Sequence, residues 1–148
     1  MRRFGAGREG SGDGLETSIG PVDFVVTWVD DSDENWRAER GKHAALLGEE
    51  VSLDGNAAAM YQDYGTLRHW FRAVERCAPW VRKIHFVTAG QVPDWLNTDH
   101  PKIHLVNHTD IMAPENLPTF NPRAIQAGFE NIEGLSENFV VFDDDTLL

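Results

Sequence analysis

Four stretches of the chain carry runs of apolar, mostly β-branched or aromatic residues: Val22 to Val29, Lys83 to Thr88, Lys102 to Asn107 and Asn138 to Phe142. Each run is short and bounded by polar or turn-forming residues, so each reads as a buried strand. Between them the apolar positions change period. Leu67, Trp70, Phe71, Val74 and Ala78 follow the spacing i, i+3, i+4, i+7, i+11, which places them on one face of a helix. The pattern predicts a helix over 63–78, capped by Asp63 and stopped by Pro79. Arg68, Arg72, Glu75 and Arg76 fall off the apolar face, toward solvent. Glu34 to Leu47 reads as a more polar helix, capped by Asp33 and ended near Gly48. A short helix is expected from Pro93 through Trp95 and Leu96, and another from about Arg123 to Asn131 before Gly134. Residues 49–60 read as loop, and Pro114, Pro118 and Pro122 punctuate a longer one.

Strands alternating with helices predict an α/β fold, a mostly parallel sheet with flanking helices. Such sheets bind ligands beyond the carboxyl ends of their strands. Those ends are polar here: Asp30, Thr88, Asn107 and Asp143. Asp30, Asp31, Asp33 and Glu34 lie within five residues, and Asp143, Asp144 and Asp145 follow the last strand directly. The first cluster, taken alone, is more readily a solvated turn and helix cap. The second sets three like charges at the end of a strand read as buried, where they repel each other. A hard divalent cation, Mg2+ or Mn2+, would offset that repulsion, sharing its oxygen ligands with substrate phosphates.

Composition narrows the function classes. With 148 residues and 41% hydrophobic content, the chain has material for one domain core. Its 24 acidic residues outweigh 13 basic ones, giving a net charge of −11. That balance argues against nucleic acid as a partner and against docking on an anionic membrane surface. Cys77 is the sole cysteine, so no intrachain disulfide forms and a cytoplasmic setting is the default; its helical context suggests a small buried residue. No run of about 18 apolar residues exists to span a bilayer. Residues 1–20, Gly-rich with Arg2 and Arg3, read as a flexible leader ahead of a domain over 21–148. His100, His104 and His108 recur every four residues, as zinc ligands on a helix would. Pro101 and the strand-like Ile103 to Val106 oppose a helix, and four strand residues span about 13 Å, too far for one ion. His85 and His104 then read as partly buried strand residues, whereas His108, past a strand end, faces the site. Trp28, Trp70, Trp80 and Trp95 read as core or helix–sheet contacts, and Trp36 as packing or a cover over a ligand.

At this point the residues resemble the Stealth proteins, hexose-1-phosphate transferases of microbial capsule synthesis. Their animal relative is the GlcNAc-1-phosphotransferase that marks lysosomal enzymes. The first conserved region is similar to Val22-Asp23-Phe24-Val25-Val26-Thr27-Trp28-Val29-Asp30, with Asp33 and Trp36 following. The second is similar to Asp63-Tyr64-Gly65-Thr66-Leu67-Arg68, then Ala78-Pro79-Trp80-Val81 and Ile84-His85-Phe86-Val87-Thr88. It continues through Gly90, Pro93, Trp95-Leu96-Asn97, Asp99-His100-Pro101, His108, Asp110-Ile111 and Leu117-Pro118-Thr119-Phe120-Asn121. It closes with Gly134-Leu135-Ser136 and Phe142-Asp143-Asp144-Asp145.

The resemblance implies a fold like that of the nucleotide-sugar (GT-A) glycosyltransferases and a divalent cation. It implies transfer of a sugar-1-phosphate from a UDP-sugar or similar donor to a hydroxyl of a polysaccharide or glycan acceptor, with release of the nucleoside monophosphate. Asp144 and Asp145 are then the expected metal ligands. Asp30, Asp33, Arg68 and Asn121 are the expected substrate contacts, with His108 and Asp63 as catalytic groups. The chain departs from the family pattern at Asp143, where Asn is usual, at Gln126, where Glu is expected, and at Glu130-Asn131, where a His-Arg pair is expected. Family members continue past the Asp-Asp segment, so the chain is read as the amino-terminal portion of a larger catalytic domain, with a carboxyl-terminal segment as a further partner. Two other readings compete: a degenerate module that binds a nucleotide-sugar or a partner without turnover, and an ordinary glycosyltransferase.

Overall fold

The computed structural model describes residues 20–46, 48 and 61–146; the leader before Gly20 and the expected loop over 49–60 lie outside the described residues. Strands β1 (Val22–Thr27), β2 (Ile84–Thr88), β3 (Ile103–Asn107) and β4 (Asn138–Phe142) form one sheet in the order β3-β2-β1-β4. All three pairings are parallel, with Phe24 opposite both Ile84 and Val140. The α/β, parallel-sheet expectation holds, and it is compatible with a nucleotide-sugar glycosyltransferase-like fold. The order reverses at β1, since β2 and β3 lie to one side and β4 to the other. Such a switch point is where open parallel sheets place their ligand crevice.

Helices α1 (Glu34–Leu46), α2 (Leu67–Cys77), α3 (His108–Ile111) and α4 (Pro122–Ala127) join the strands, with 3-10 turns at Pro114–Asn116 and Phe129–Asn131. The alternation of a strand sends Phe24, Val26 and Trp28 to one side of the sheet. There, with Ile84 and Phe86, they bury the apolar stripe of α2: Leu67, Trp70 and Val74. On the other face Val25, Val87 and Val106 meet Ile111, Phe129 and Ile132. Each fully buried side chain of this kind contributes about 1.5–3 kcal/mol. Helix α2 runs from the carboxyl edge of the sheet to its amino edge. The Trp28 indole donates to Asp63 (3.1 Å) ahead of its start, and Arg82 N–H donates to Val22 C=O (2.9 Å) beyond its end.

The amino edge holds a buried ionic network. Asp23 is wholly enclosed on β1. Its carboxylate accepts from the guanidinium of Arg82, from Lys83 N–H (3.2 Å) and from Ser136 N–H (2.9 Å), and lies 2.9 Å from His85 Nε2. His85 Nδ1 in turn lies 2.9 Å from His104 Nδ1. Burial pushes the Asp23 carboxyl up, but the hydrogen bonds of Arg82, His85 and Ser136 outweigh it and hold the group below the usual carboxylate range. Burial also pushes His85 down, against the pull of Asp23.

Several expectations are corrected. The α2 N-cap is Thr66, and Asp63 serves instead as an acceptor for Gly65 N–H (2.7 Å) and the Trp28 indole. The segment from Pro93 to Leu96 is a turn, and the expected helix to Asn131 is divided at Gly128 into α4 and a 3-10 turn. A β-carbon at Gly128 would sit 3.0 Å from Ile111 C=O, so the close approach of these elements favours glycine. Cys77 is exposed, because Ala78 and Val81 close the core beyond the last turn of α2. Trp80 and Trp95 are exposed rather than core residues. Among the described residues strand β4 pairs only with β1, and Phe139, Val140 and Val141 are exposed, so there the strand read as buried is an edge. His85 and His104 are strand residues as expected, the first fully buried.

Candidate active site

The loop after β1 is built from its own acids. Asp30 Oδ1 accepts from Ser32 N–H (2.8 Å) and Ser32 O–H (2.6 Å), turning the chain. Asp33 Oδ1 accepts from Asn35 N–H (2.8 Å) and Trp36 N–H (3.4 Å), which caps α1 as the sequence implies. Gln91, just past β2, ties this loop to the neighbouring strand. Its amide accepts from Asp30 N–H (2.9 Å) and donates to Asp30 C=O (3.0 Å) and Asp33 Oδ2 (3.0 Å). The Gln91 bond, then the two backbone N–H groups, hold the Asp33 carboxyl below its usual value. In the sequence nothing marks Gln91 beyond its position three residues past the end of β2.

A cleft of about 650 Å³ opens at the carboxyl ends of β2 and β3. Asp33, Trp36, Gln91, His108 and Phe120 are among its walls. One wall is aromatic. Trp36 packs against Tyr61 and Phe120 at 5.4 and 5.5 Å between ring centroids, and the Tyr61 hydroxyl donates to Phe120 C=O (2.8 Å). Arg40 stacks its guanidinium over Tyr61 at 4.2 Å. Trp36 is thus a packed residue, only 8% exposed, at the edge of the cleft. His108 stands at the start of α3, and burial lowers its pKa, which keeps the imidazole neutral at pH 7.

A second set of acids gathers at the switch point. Asp143, Asp144 and Asp145 leave β4 beside the end of β1, since Phe142 pairs with Val26. Asp63 joins them from the segment before α2, and its N–H donates to Asp31 (3.3 Å). Asp144 is pushed up to about 6, chiefly by burial and then by the negative charges of Asp145, Asp63 and Asp143. Among the described residues no three His, Cys, Asp or Glu side chains converge into a ready metal cage. The donor set is nevertheless all oxygen, and its mutual repulsion is what a hard cation relieves.

The expected site residues therefore divide. Asp33 and His108 share the cleft, and Asp30 builds its rim loop. Asp63 and Asp144 are electrostatically coupled, with Asp145 beside them. Asn121 caps α4 by accepting from Arg123 N–H (3.0 Å), next to the cleft residue Phe120. Arg68 lines a different groove, along α2. Of the positions that depart from the family pattern, Gln126 and Glu130 are exposed, while the Asn131 amide donates to Ile111 C=O (3.0 Å) and fastens the 3-10 turn to α3.

A four-stranded parallel α/β sheet with carboxylates at its switch point defines the class. Comparison with known proteins gives the family: the chain matches Stealth protein conserved region 1 over residues 20–42 and conserved region 2 over residues 60–148, and it belongs to the Stealth family. It is 46% identical over 127 residues to a capsular polysaccharide phosphotransferase of Streptococcus thermophilus, covering 86% of this chain and 53% of that one. It is 44% identical over 129 residues to an exopolysaccharide phosphotransferase of Streptomyces coelicolor, covering 86% and 14%. A receptor polysaccharide phosphotransferase of Streptococcus oralis is 43% identical over 128 residues, covering 86% and 38%. The chain spans about half the length of the first of these relatives and less of the others.

Proposed function

We propose that this chain carries the donor-binding and acid–base portion of a polysaccharide phosphotransferase, one that moves a sugar-1-phosphate from a nucleotide-sugar to an acceptor hydroxyl. The observation that supports it most is the repulsive carboxylate cluster around Asp144, set at the switch point beside a cleft containing a neutral histidine. The names of the relatives agree with polysaccharide phosphotransfer.

In this reading Asp144 and Asp145 hold a divalent cation, with Asp63 nearby as a second-rank acceptor. When bound, the cation would neutralise charge on the donor diphosphate and on the departing nucleoside monophosphate. The Trp36–Phe120 wall orients the flat or apolar part of the donor. The Asp30–Asp33 loop, braced by Gln91, sets the rim against which the donor rests. His108, neutral and uncovered on the cleft side, accepts the proton of the acceptor hydroxyl as its oxygen attacks the phosphorus bearing the sugar. Asn121 positions Phe120 and the acceptor side through its cap on α4.

The test is a product assay on the full chain with UDP-N-acetylglucosamine, Mg2+ and a free hexose as acceptor. UMP release that disappears in Asp144→Asn and falls about 10²–10⁴-fold in His108→Ala supports the reading. UDP as the product would identify an ordinary glycosyltransferase instead. Metal-dependent donor binding by calorimetry with neither product would identify a binding module.

A further inference from the structure

A second concavity, of about 480 Å³, runs along the flank of α2. It begins at Arg68 on the first turn of that helix, near the carboxyl edge, and extends to Pro79 and Lys102 toward the amino edge. Phe71, Val81, Ile84 and Ile103 are among the apolar residues that line it, and Trp95 forms one wall. Trp95 keeps 39% of its surface exposed although its ring is fixed edge-on against Phe71, 5.7 Å between centroids and 71° between planes. A large aromatic ring packed along one edge and open on its other surface can stack on the face of a ligand.

The charge of the groove runs against the rest of the molecule. The chain carries −11 overall, yet the ionised residues lining this groove are Arg68, Arg72 and Lys102 against Glu75 alone. Arg68 and Arg72 are four apart on α2 and so lie on one side, with Cβ atoms about 5–6 Å apart. Among the described residues neither enters an ion pair. Lys102 is fixed at the far end by donating to Pro79 C=O (2.6 Å), which uses one of its three donors. A ligand that fits must be elongated, must offer apolar faces for Trp95 to stack on, and must carry negative charges at intervals.

We propose that this groove binds a phosphodiester-bearing oligosaccharide, the growing acceptor chain, and leads it toward the carboxyl edge. The identification rests on the phosphotransferase reading above: each transfer of a sugar-1-phosphate to a hydroxyl leaves one anionic phosphodiester in the product. A chain extended by earlier rounds then has the repeated anion that Arg68, Arg72 and Lys102 match, and sugar rings whose C–H faces stack on Trp95. Guanidinium forks suit phosphodiester oxygens.

The experiment is calorimetric titration of the full chain with three probes. These are a synthetic tetramer of N-acetylglucosamine-1-phosphate units joined by phosphodiesters, neutral chitotetraose, and inorganic phosphate. The proposal expects the tetramer to bind at least tenfold more tightly than either other probe, and more weakly as salt rises. It expects Trp95→Ala and Arg72→Glu each to weaken the tetramer at least tenfold, and Trp95→Phe to restore most of the loss. Both variants should leave transfer to a single-sugar acceptor unchanged while slowing transfer to the tetramer. Equal binding of tetramer and phosphate, unaffected by Trp95→Ala, would overturn the proposal in favour of a simple anion site. Equal binding of tetramer and chitotetraose would remove the role of charge. Self-association by sedimentation that Trp95→Ala abolishes would show instead that the groove joins two copies of the chain. If the chain releases no UMP yet tetramer binding depends on Trp95 and Arg72, the groove stands and the catalytic reading fails; UMP release with no such binding fails the groove alone.

Discussion

The two edges of the sheet treat buried carboxylates in opposite ways. At the amino edge Asp23 is wholly enclosed, and still its carboxyl is held below the usual range, because Arg82, His85 and two backbone N–H groups surround it. At the carboxyl edge Asp144 is less enclosed and is pushed up to about 6, because its neighbours are burial and three further aspartates. One carboxylate has been given a counter-charge and hydrogen-bond donors by the fold; the other has been denied them. Compensation, rather than burial, separates an acid that holds the fold together from one left facing like charges.

Breaking the compensated edge should have the largest effect. Asp23→Ala leaves Arg82 and buried His85 without their acceptor, and should cost about 3–5 kcal/mol in urea denaturation. Sharpening the uncompensated edge should do the reverse. Asp144→Asn removes a carboxylate whose folded pKa of about 6 lies above its ordinary 3.8, so in the parent the contribution of this group is lost as pH rises through 6. The variant should therefore be about 1–2 kcal/mol more stable at pH 7, with the gain gone by pH 4, and under the proposed function it should release no UMP. Added Mg2+ should narrow that gap by stabilising the parent alone. Gln91→Ala should cost about 1 kcal/mol by thermal melting, since it removes the brace between the β1 and β2 loops, and should raise KM for the donor more than it lowers kcat. The smallest effect is a slope. His85 is held neutral with a lowered pKa, so as pH falls below its ordinary 6.5 the unfolded chain takes up a proton the folded one refuses, and stability falls. His85→Gln should flatten that slope in a pH series of urea midpoints, while the Asp144 contribution between pH 6 and 4 keeps its opposite sign.

Much of the framework was legible in the residues. Strand β4 occupies its expected range, β2 and β3 each start one residue later than expected, and the stripe Leu67, Trp70, Phe71, Val74 and Ala78 packs against the sheet as its period implies. What periodicity does not carry is position in the assembly. Phe139 to Val141 form an apolar run because the strand lies in a sheet, but a run has the same letters at an edge as in the centre. Trp95 and Cys77 fail for a related reason: the sequence shows that they are apolar, not where the opposing layer stops. In the site, Asp33 as a cap and His108 in the cleft followed from local rules about helix starts and strand ends. Gln91 and Tyr61 did not, because their partners Asp30 and Phe120 lie about sixty residues away and only the fold brings them together.

Strand β4 also bears on how the protein behaves in a tube. Among the described residues its outer backbone groups and the side chains of Phe139, Val140 and Val141 form a template for another strand. The collective negative charge of the molecule, −11, opposes the pairing of two such templates. That protection reaches only about 8 Å at physiological ionic strength and about 3 Å in molar salt. Colloidal stability of this protein should thus be a matter of salt and concentration, with dilute, low-salt solutions the most forgiving.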